Sequence, residues 1–158
     1  MDPLSGLVLI VLAGLVGGIA ALVWNGTHQL IYPPHRRASQ APADYGFAHE
    51  SVTFPSRGGV MLRGWFIPAT DSDRAIIICH GYSGDCSPDL VYAPLLHAAG
   101  YHLLFFDFRG HGASGGNYTS LVYFERDDVL AALDYLCARG IPRISLLGFS
   151  MGGAVALP

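Results

Sequence analysis

The residues with the most chemical content lie in Gly148-Phe149-Ser150-Met151-Gly152-Gly153. A serine between glycines at the second position on either side fits a sharp turn that lifts a hydroxyl out for attack on a carbonyl carbon. Gly148 and Gly152 leave room where the turn is too tight for side chains, and Gly153 lets a following helix pack close to a sheet. The run before the motif, Arg143-Ile144-Ser145-Leu146-Leu147, reads as a buried strand, and Ala154-Val155-Ala156-Leu157 reads as the start of a helix. Strand, turn and helix in that order make Ser150 a candidate nucleophile. The N–H groups that follow it open a helix whose positive end favours an oxyanion. The plainer alternative is a glycine-rich turn that happens to carry a serine.

The elements that must position Ser150 can be read upstream. Residues 47–55 alternate and contain Val52, Thr53 and Phe54, which predicts a strand; Ser56-Arg57-Gly58-Gly59 is a turn, and 60–67 is the return strand of a hairpin. Residues 68–73 form a polar loop. Ala75-Ile76-Ile77-Ile78-Cys79 is apolar throughout, as expected of a strand covered on both faces, and it runs into His80-Gly81-Tyr82-Ser83-Gly84. Ser87-Pro88 starts a helix that stops at Gly100, with Ser87 as the cap. A strand over 101–106 leads into Asp107-Phe108-Arg109-Gly110-His111-Gly112-Ala113-Ser114-Gly115. The spacing of Val122, Val129, Leu133 and Leu136 predicts a helix over 120–139, with Glu125, Arg126, Asp127 and Asp128 mostly outward, ended by Gly140 and Pro142. Strands alternating with helices imply βαβ units and a mostly parallel sheet, whose ligand sites lie beyond the C-terminal strand ends. All three glycine-containing segments fall at such ends.

Only 13% of residues are charged and the net charge is −3, so there is no basic footprint for nucleic acid. All nine basic residues are Arg, which reflects lineage and not function. The three cysteines, Cys79, Cys86 and Cys137, lack metal-ligand spacing and support no disulfide framework; Cys79 and Cys137 read as buried thiols. Residues 4–24, from Leu4 at one end to Trp24 at the other, carry no charge and are long enough for the roughly 30 Å hydrocarbon core. Asp2 and the absence of Arg or Lys ahead of the span argue for an uncleaved bilayer anchor over a cleaved signal peptide. Arg36 and Arg37 after it favour a cytoplasmic domain. The division expected is an anchor at 1–24, a Pro-rich extended linker at 25–45 with solvated His28 and His35, and a globular part at 46–158.

With these motifs assembled, the chain resembles the α/β-hydrolase superfamily from about Phe47 onward. The resemblance rests on H-G after the third strand, D-x-R-G-x-G after the fourth and G-x-S-x-G-G after the fifth. It is most similar to the serine-aminopeptidase and monoglyceride-lipase type, including membrane-anchored members. The resemblance implies the N-terminal half of an α/β-hydrolase sheet, no cofactor, and a small-molecule, lipid or peptide acyl substrate. It implies Ser150 as nucleophile and the N–H groups of Tyr82 and Met151 as oxyanion hole. His80 and Gly81 would order the loop, and Asp107, Arg109 and His111 would be structural. His97 and His102 read as ordinary helix-surface or strand-edge residues.

The same resemblance implies a catalytic acid and then a histidine after the serine. Only eight residues follow Ser150, none of them acidic or His. The expectation is a fragment of a longer hydrolase, inactive by itself; the alternative is a catalytically dead anchored pseudoenzyme or interaction module. A nucleotide-binding fold is disfavoured, because His80-Gly81-Tyr82-Ser83-Gly84 does not fit G-x-G-x-x-G.

Overall fold

Helix α1 (Pro3–Ile31) begins where the Asp2 side chain accepts a bond from the N–H of Ser5 at 2.7 Å and Pro3 takes the first helical position. The computed structural model describes residues 2–82 and 84–157. The chain divides into two units, Met1–Tyr32 and Pro33–Pro158. The first is this helix, apolar on every side, with a mean hydropathy of 2.7 over its most apolar stretch. It is long and apolar enough to cross a membrane, and its composition and position also fit a signal sequence. The helix runs seven residues past Trp24, so the boundary expected at 24 falls short and 25–31 is helical, not extended linker. Asn25, Gly26, Thr27 and His28 break the apolar pattern without breaking the backbone.

The second unit is built on five strands: β1 (Glu50–Pro55), β2 (Met61–Ile67), β3 (Arg74–Cys79), β4 (His102–Phe106) and β5 (Arg143–Gly148). They form one sheet in the order β1-β2-β4-β3-β5. The hairpin is antiparallel, β2 meets β4 antiparallel, and β3 lies parallel to both β4 and β5. The half nearest Ser150 is thus parallel, as two βαβ crossovers require. Gly64 of β2 is needed for the register Gly64↔Phe106: a Cβ there would fall 2.7 Å from the Phe106 Cα.

Helices cover both faces. Residues 87–92 form a 3₁₀ turn that continues into α2 (Ala93–Ala98); Leu90 and Ala93 pack with Ile76, Ile78, Leu103 and Phe105 on one face. On the other, α3 (Glu125–Ala138) and α4 (Met151–Ala156) pack with Phe54, Leu62, Ile77, Leu104 and Phe106 through Val129, Ala132, Leu136, Met151 and Val155. Ser87 is not the cap expected of it. Cys86 holds that position, and the Asp85 carboxylate accepts the Ser87 N–H at 2.8 Å.

Three further readings change. The 33–45 segment is docked, not a free spacer: Pro33 and Pro42 are buried, and the Ser39 N–H donates to Ser87 Oγ at 3.1 Å. His35 is not merely solvated, since its ring nitrogens lie 3.1 and 3.0 Å from the carbonyl oxygens of Gly112 and Gly116. Cys137 is exposed, whereas Cys79 and Cys86 are buried; burial pushes the Cys79 thiol up to about 12. The third concerns α3, where Glu125 and Asp128 are fully buried and not outward. Each has polar partners from the preceding loops, which a helical pattern alone does not reveal.

Candidate active site

Strand β5 ends at Gly148, and the Phe149 N–H still bonds to the Cys79 carbonyl at 3.0 Å, so the turn begins beside the end of β3. Ser150 follows with φ 50° and ψ −112°, a conformation strained for any residue with a Cβ. The chain then enters α4, with the Gly152 N–H donating to the Phe149 carbonyl at 2.9 Å. The glycines are required by contact. A Cβ on Gly152 would collide with the Cys79 carbonyl and lie 2.6 Å from that of His80, and one on Gly148 would meet the backbone of Gly152 and Gly153. Gly153 is milder, its Cβ site lying 3.2 Å from the Gly148 carbonyl oxygen. The outcome is an exposed serine beside a buried Met151.

The loop after β3 lies against this turn. The Cβ site of Gly81 is 3.6 Å from the Ser150 Cβ and 3.4 Å from the Phe149 carbonyl oxygen. Tyr82 follows and stands edge-on to His111, ring centroids 5.9 Å apart. Its neighbour Ser83, part of the same glycine-containing segment, lies outside the described residues. The sequence-expected residues His80, Gly81, Tyr82, Gly148, Ser150, Met151, Gly152 and Gly153 therefore converge on the C-terminal ends of β3 and β5.

His80 has both ring nitrogens engaged by backbone. It is buried, its Nε2 accepts the Phe108 N–H at 3.0 Å, and Nδ1–H donates to the Gly81 carbonyl at 2.6 Å. Burial holds it below the ordinary imidazole value of 6.5. One neutral ring thus fixes the loop carrying Gly81 to the loop after β4. Asp107 makes a parallel tie, accepting the N–H groups of Cys86 and Ala113 at 2.8 Å each. Arg109 forms a buried pair with Asp128 at 2.7 Å and donates to Ser56 Oγ at 2.9 Å. His111 Nδ1 donates to the Arg109 carbonyl at 2.9 Å, and burial holds its ring below 6.5 as well. Asp107, Arg109 and His111 thus bond to backbone and side chains of neighbouring segments, while the His111 Nε2 has no hydrogen-bond partner among the described residues.

The other histidines of this unit are also engaged by backbone. His97 faces the Pro68 carbonyl at 2.9 Å; His102 accepts the Ala69 N–H and donates to Ser72, so it pins the 68–73 loop. Sequence reasoning missed Glu125. Its carboxylate takes bonds from Thr119 Oγ, the Ser120 N–H and Ser120 Oγ at 2.8, 2.9 and 2.6 Å. A signal was available in Thr119-Ser120, six and five residues ahead of an acid at a helix start, an extended relative of the capping box.

Comparisons with known proteins agree with this geometry. The profile of the family described as serine aminopeptidase, S33, matches residues 70–158. The uncharacterized protein Rv2307c of Mycobacterium tuberculosis is 30% identical over 155 residues, covering 95% of this chain and 54% of that protein. The uncharacterized protein YqkD of Bacillus subtilis is 35% identical over 109 residues, 68% of this chain and 36% of its own length. This chain thus spans about half, or less, of the curated relatives it matches. Among solved structures, an esterase of Pyrococcus furiosus superposes with a TM-score of 0.73 at 35% identity, over 78% of this chain and 51% of that one. A serine hydrolase of Xanthomonas campestris described as lacking a lid superposes at 0.60 with 27% identity, over 69% and 54%. On its strand order, its strained turn and these matches, the chain has the α/β-hydrolase fold and belongs to the serine aminopeptidase S33 family of hydrolases.

Proposed function

We propose that this chain carries the nucleophile of a membrane-anchored serine hydrolase, which transfers the acyl group of an ester, lipid or peptide to water through Ser150. The observation that carries the proposal is the Ser150 backbone: an exposed serine held at φ 50° at the end of β5, with the Cβ site of Gly81 3.6 Å from its own Cβ. Ser150 Oγ attacks the substrate carbonyl carbon and gives its proton to a base. The tetrahedral oxyanion is held by the N–H groups of Met151 and Tyr82, the leaving group departs protonated, and water then releases the acyl group. This reading takes the base and its acid partner from a longer protein: among the described residues His80 bonds to backbone through both ring nitrogens and His111 through Nδ1. The length of the relatives supports this. A serine without its base retains only residual catalysis, so the chain by itself is expected to be inactive.

The same engaged histidines favour a second reading, a catalytically silent anchored module. Fluorophosphonate treatment of native membranes followed by intact-mass measurement separates the two. One adduct on Ser150, absent in Ser150→Ala, supports the hydrolase; an unlabelled species at the mass of these 158 residues supports the silent module. Helix α1 is read as an uncleaved anchor in the lipid bilayer with the hydrolase unit in the cytoplasm, supported by its length and by Arg36 and Arg37. Resistance to alkaline extraction, together with protease sensitivity only in opened cells, is the expected result. Release into the soluble fraction would reject the anchor.

A further inference from the structure

Glu125 is a carboxylate with zero exposure, and no ion pair among the described residues includes it. Burying a charge is costly unless hydrogen bonds replace its water. All three of its close donors belong to two adjacent residues. Oε1 takes the Thr119 hydroxyl and the Ser120 N–H, and Oε2 takes the Ser120 hydroxyl. Ser120 Oγ also accepts the Phe124 N–H at 2.7 Å, one residue ahead of α3, whose N-cap position is Phe124 with no side-chain cap bond.

What Glu125 holds is a strained loop. Leu121 sits at φ 65°, a region that favours glycine, with its N–H on Thr119 Oγ at 3.0 Å. Thr119 is itself buried, and its hydroxyl lies 3.9 Å from the Met151 thioether sulfur. Met151 is the residue directly after Ser150 and is buried on the same face of the sheet. The contacts therefore run from Glu125 through Thr119 to the first residue beyond the nucleophile.

We propose that Glu125 is a positioning residue for the elbow, acting through Thr119 to fix Met151. This deepens the hydrolase reading and rests on it for its catalytic meaning. A shift of the Met151 N–H by a fraction of an ångström would weaken its bond to a developing oxyanion, because that bond depends on preset geometry. Glu125→Gln replaces one acceptor oxygen by a donor facing donors. Thr119→Val keeps the shape and removes the hydroxyl, and Thr119→Ser restores it.

The test is hydrogen exchange of the full chain in detergent, run beside fluorophosphonate kinetics on the native protein. Glu125→Gln and Thr119→Val are expected to raise exchange in peptides covering 149–157 by roughly tenfold, with Thr119→Ser near wild type and the 50–67 hairpin unchanged. In labelling, the maximal rate falls by roughly tenfold while the half-saturating probe concentration stays constant. Unchanged exchange at 149–157 overturns the proposal, as does a rise spread equally over the hairpin, which would make Glu125 a general stability group. If wild type takes no label, the hydrolase reading falls and the exchange data still decide the positioning role.

Discussion

At the scale of the residue, Ser150 is held against its own backbone preference. A side chain at φ 50° and ψ −112° costs on the order of 1–3 kcal/mol, and the surrounding glycine contacts leave the turn no other path. Ser150→Gly is accordingly expected to raise stability by about 1 kcal/mol, part of the relieved strain being offset by glycine's larger unfolded-state entropy. It would abolish fluorophosphonate labelling at the same time; chemical denaturation and intact mass read the two effects separately. The titrating groups set a pH response. Burial, and then the charge of Asp85, push the Asp89 carboxyl up to about 6. The folded state thus holds a proton at Asp89 that the unfolded chain has shed, and this contribution to stability falls as pH rises from about 4 to 6. Buried His80 and His111, held below 6.5, act in the opposite sense: the unfolded chain binds more protons below that value, so their contribution is present above 6.5 and lost on acidification. Asp89→Asn is expected to raise the urea midpoint at pH 7.5, with a gain that shrinks toward pH 4. A gain of equal size at both pH values would assign the effect to packing.

At the scale of the element, close backbone approach decides what the strands tolerate. Strand β2 crosses β4 at Gly64, where any side chain would enter the Phe105 and Phe106 backbone. Gly64→Ala is expected to cost about 3 kcal/mol in a urea titration, the upper range for overpacking, and to perturb the β2–β4 pairing more than the parallel β3–β5 pairing. Exchange of Phe106 and Cys79 amides distinguishes these. Helix α3 teaches a different point. Its first turn, Glu125-Arg126-Asp127-Asp128, has the charge pattern of a solvated helix start. Two of the four residues are nonetheless buried, since Arg109 and Ser56 reach Asp128 from other elements while Thr119 and Ser120 fold back over Glu125. The Arg109–Asp128 pair joins the loop after β4 to α3, and Asp107 joins that loop to the segment after β3. These loops are therefore held by two carboxylates, Asp107 through backbone N–H groups and Asp128 mainly through the Arg109 guanidinium and the Ser56 hydroxyl.

At the scale of the whole molecule, the sheet of the Pro33–Pro158 unit is unevenly covered. Strands β3 and β4 are central and almost wholly buried, while β5 carries no further strand among the described residues and Leu146 is 36% exposed. Leu130, Leu133, Leu146, Val155 and Leu157 line one open groove beside it. An apolar edge strand of this kind pairs with other chains. The 158-residue chain is expected to self-associate with rising concentration in sedimentation velocity, and Leu146→Lys, which places a charge on that edge, is expected to reduce the association. A monomer at all concentrations would mean the edge is protected.

Local pattern alone determined a good deal. The five strands fall within three residues of the stretches read from periodicity, and the three glycine-containing motifs stand at strand ends as expected. These features depend on neighbours two to four residues apart, which the linear order displays directly. Gly148, Gly152 and Ser150 were legible because a sharp turn has a narrow choice of residues. Only the tertiary structure decided that β4 lies between β2 and β3, that the 33–45 segment docks through Pro33, His35 and Ser39, and that Glu125 and Asp128 are interior. A charge is buried or solvated according to partners brought from distant parts of the chain. Glu125, the group proposed to hold the elbow in shape, is linked to Met151 only through Thr119, a residue 32 positions from Met151 that folding brings beside it.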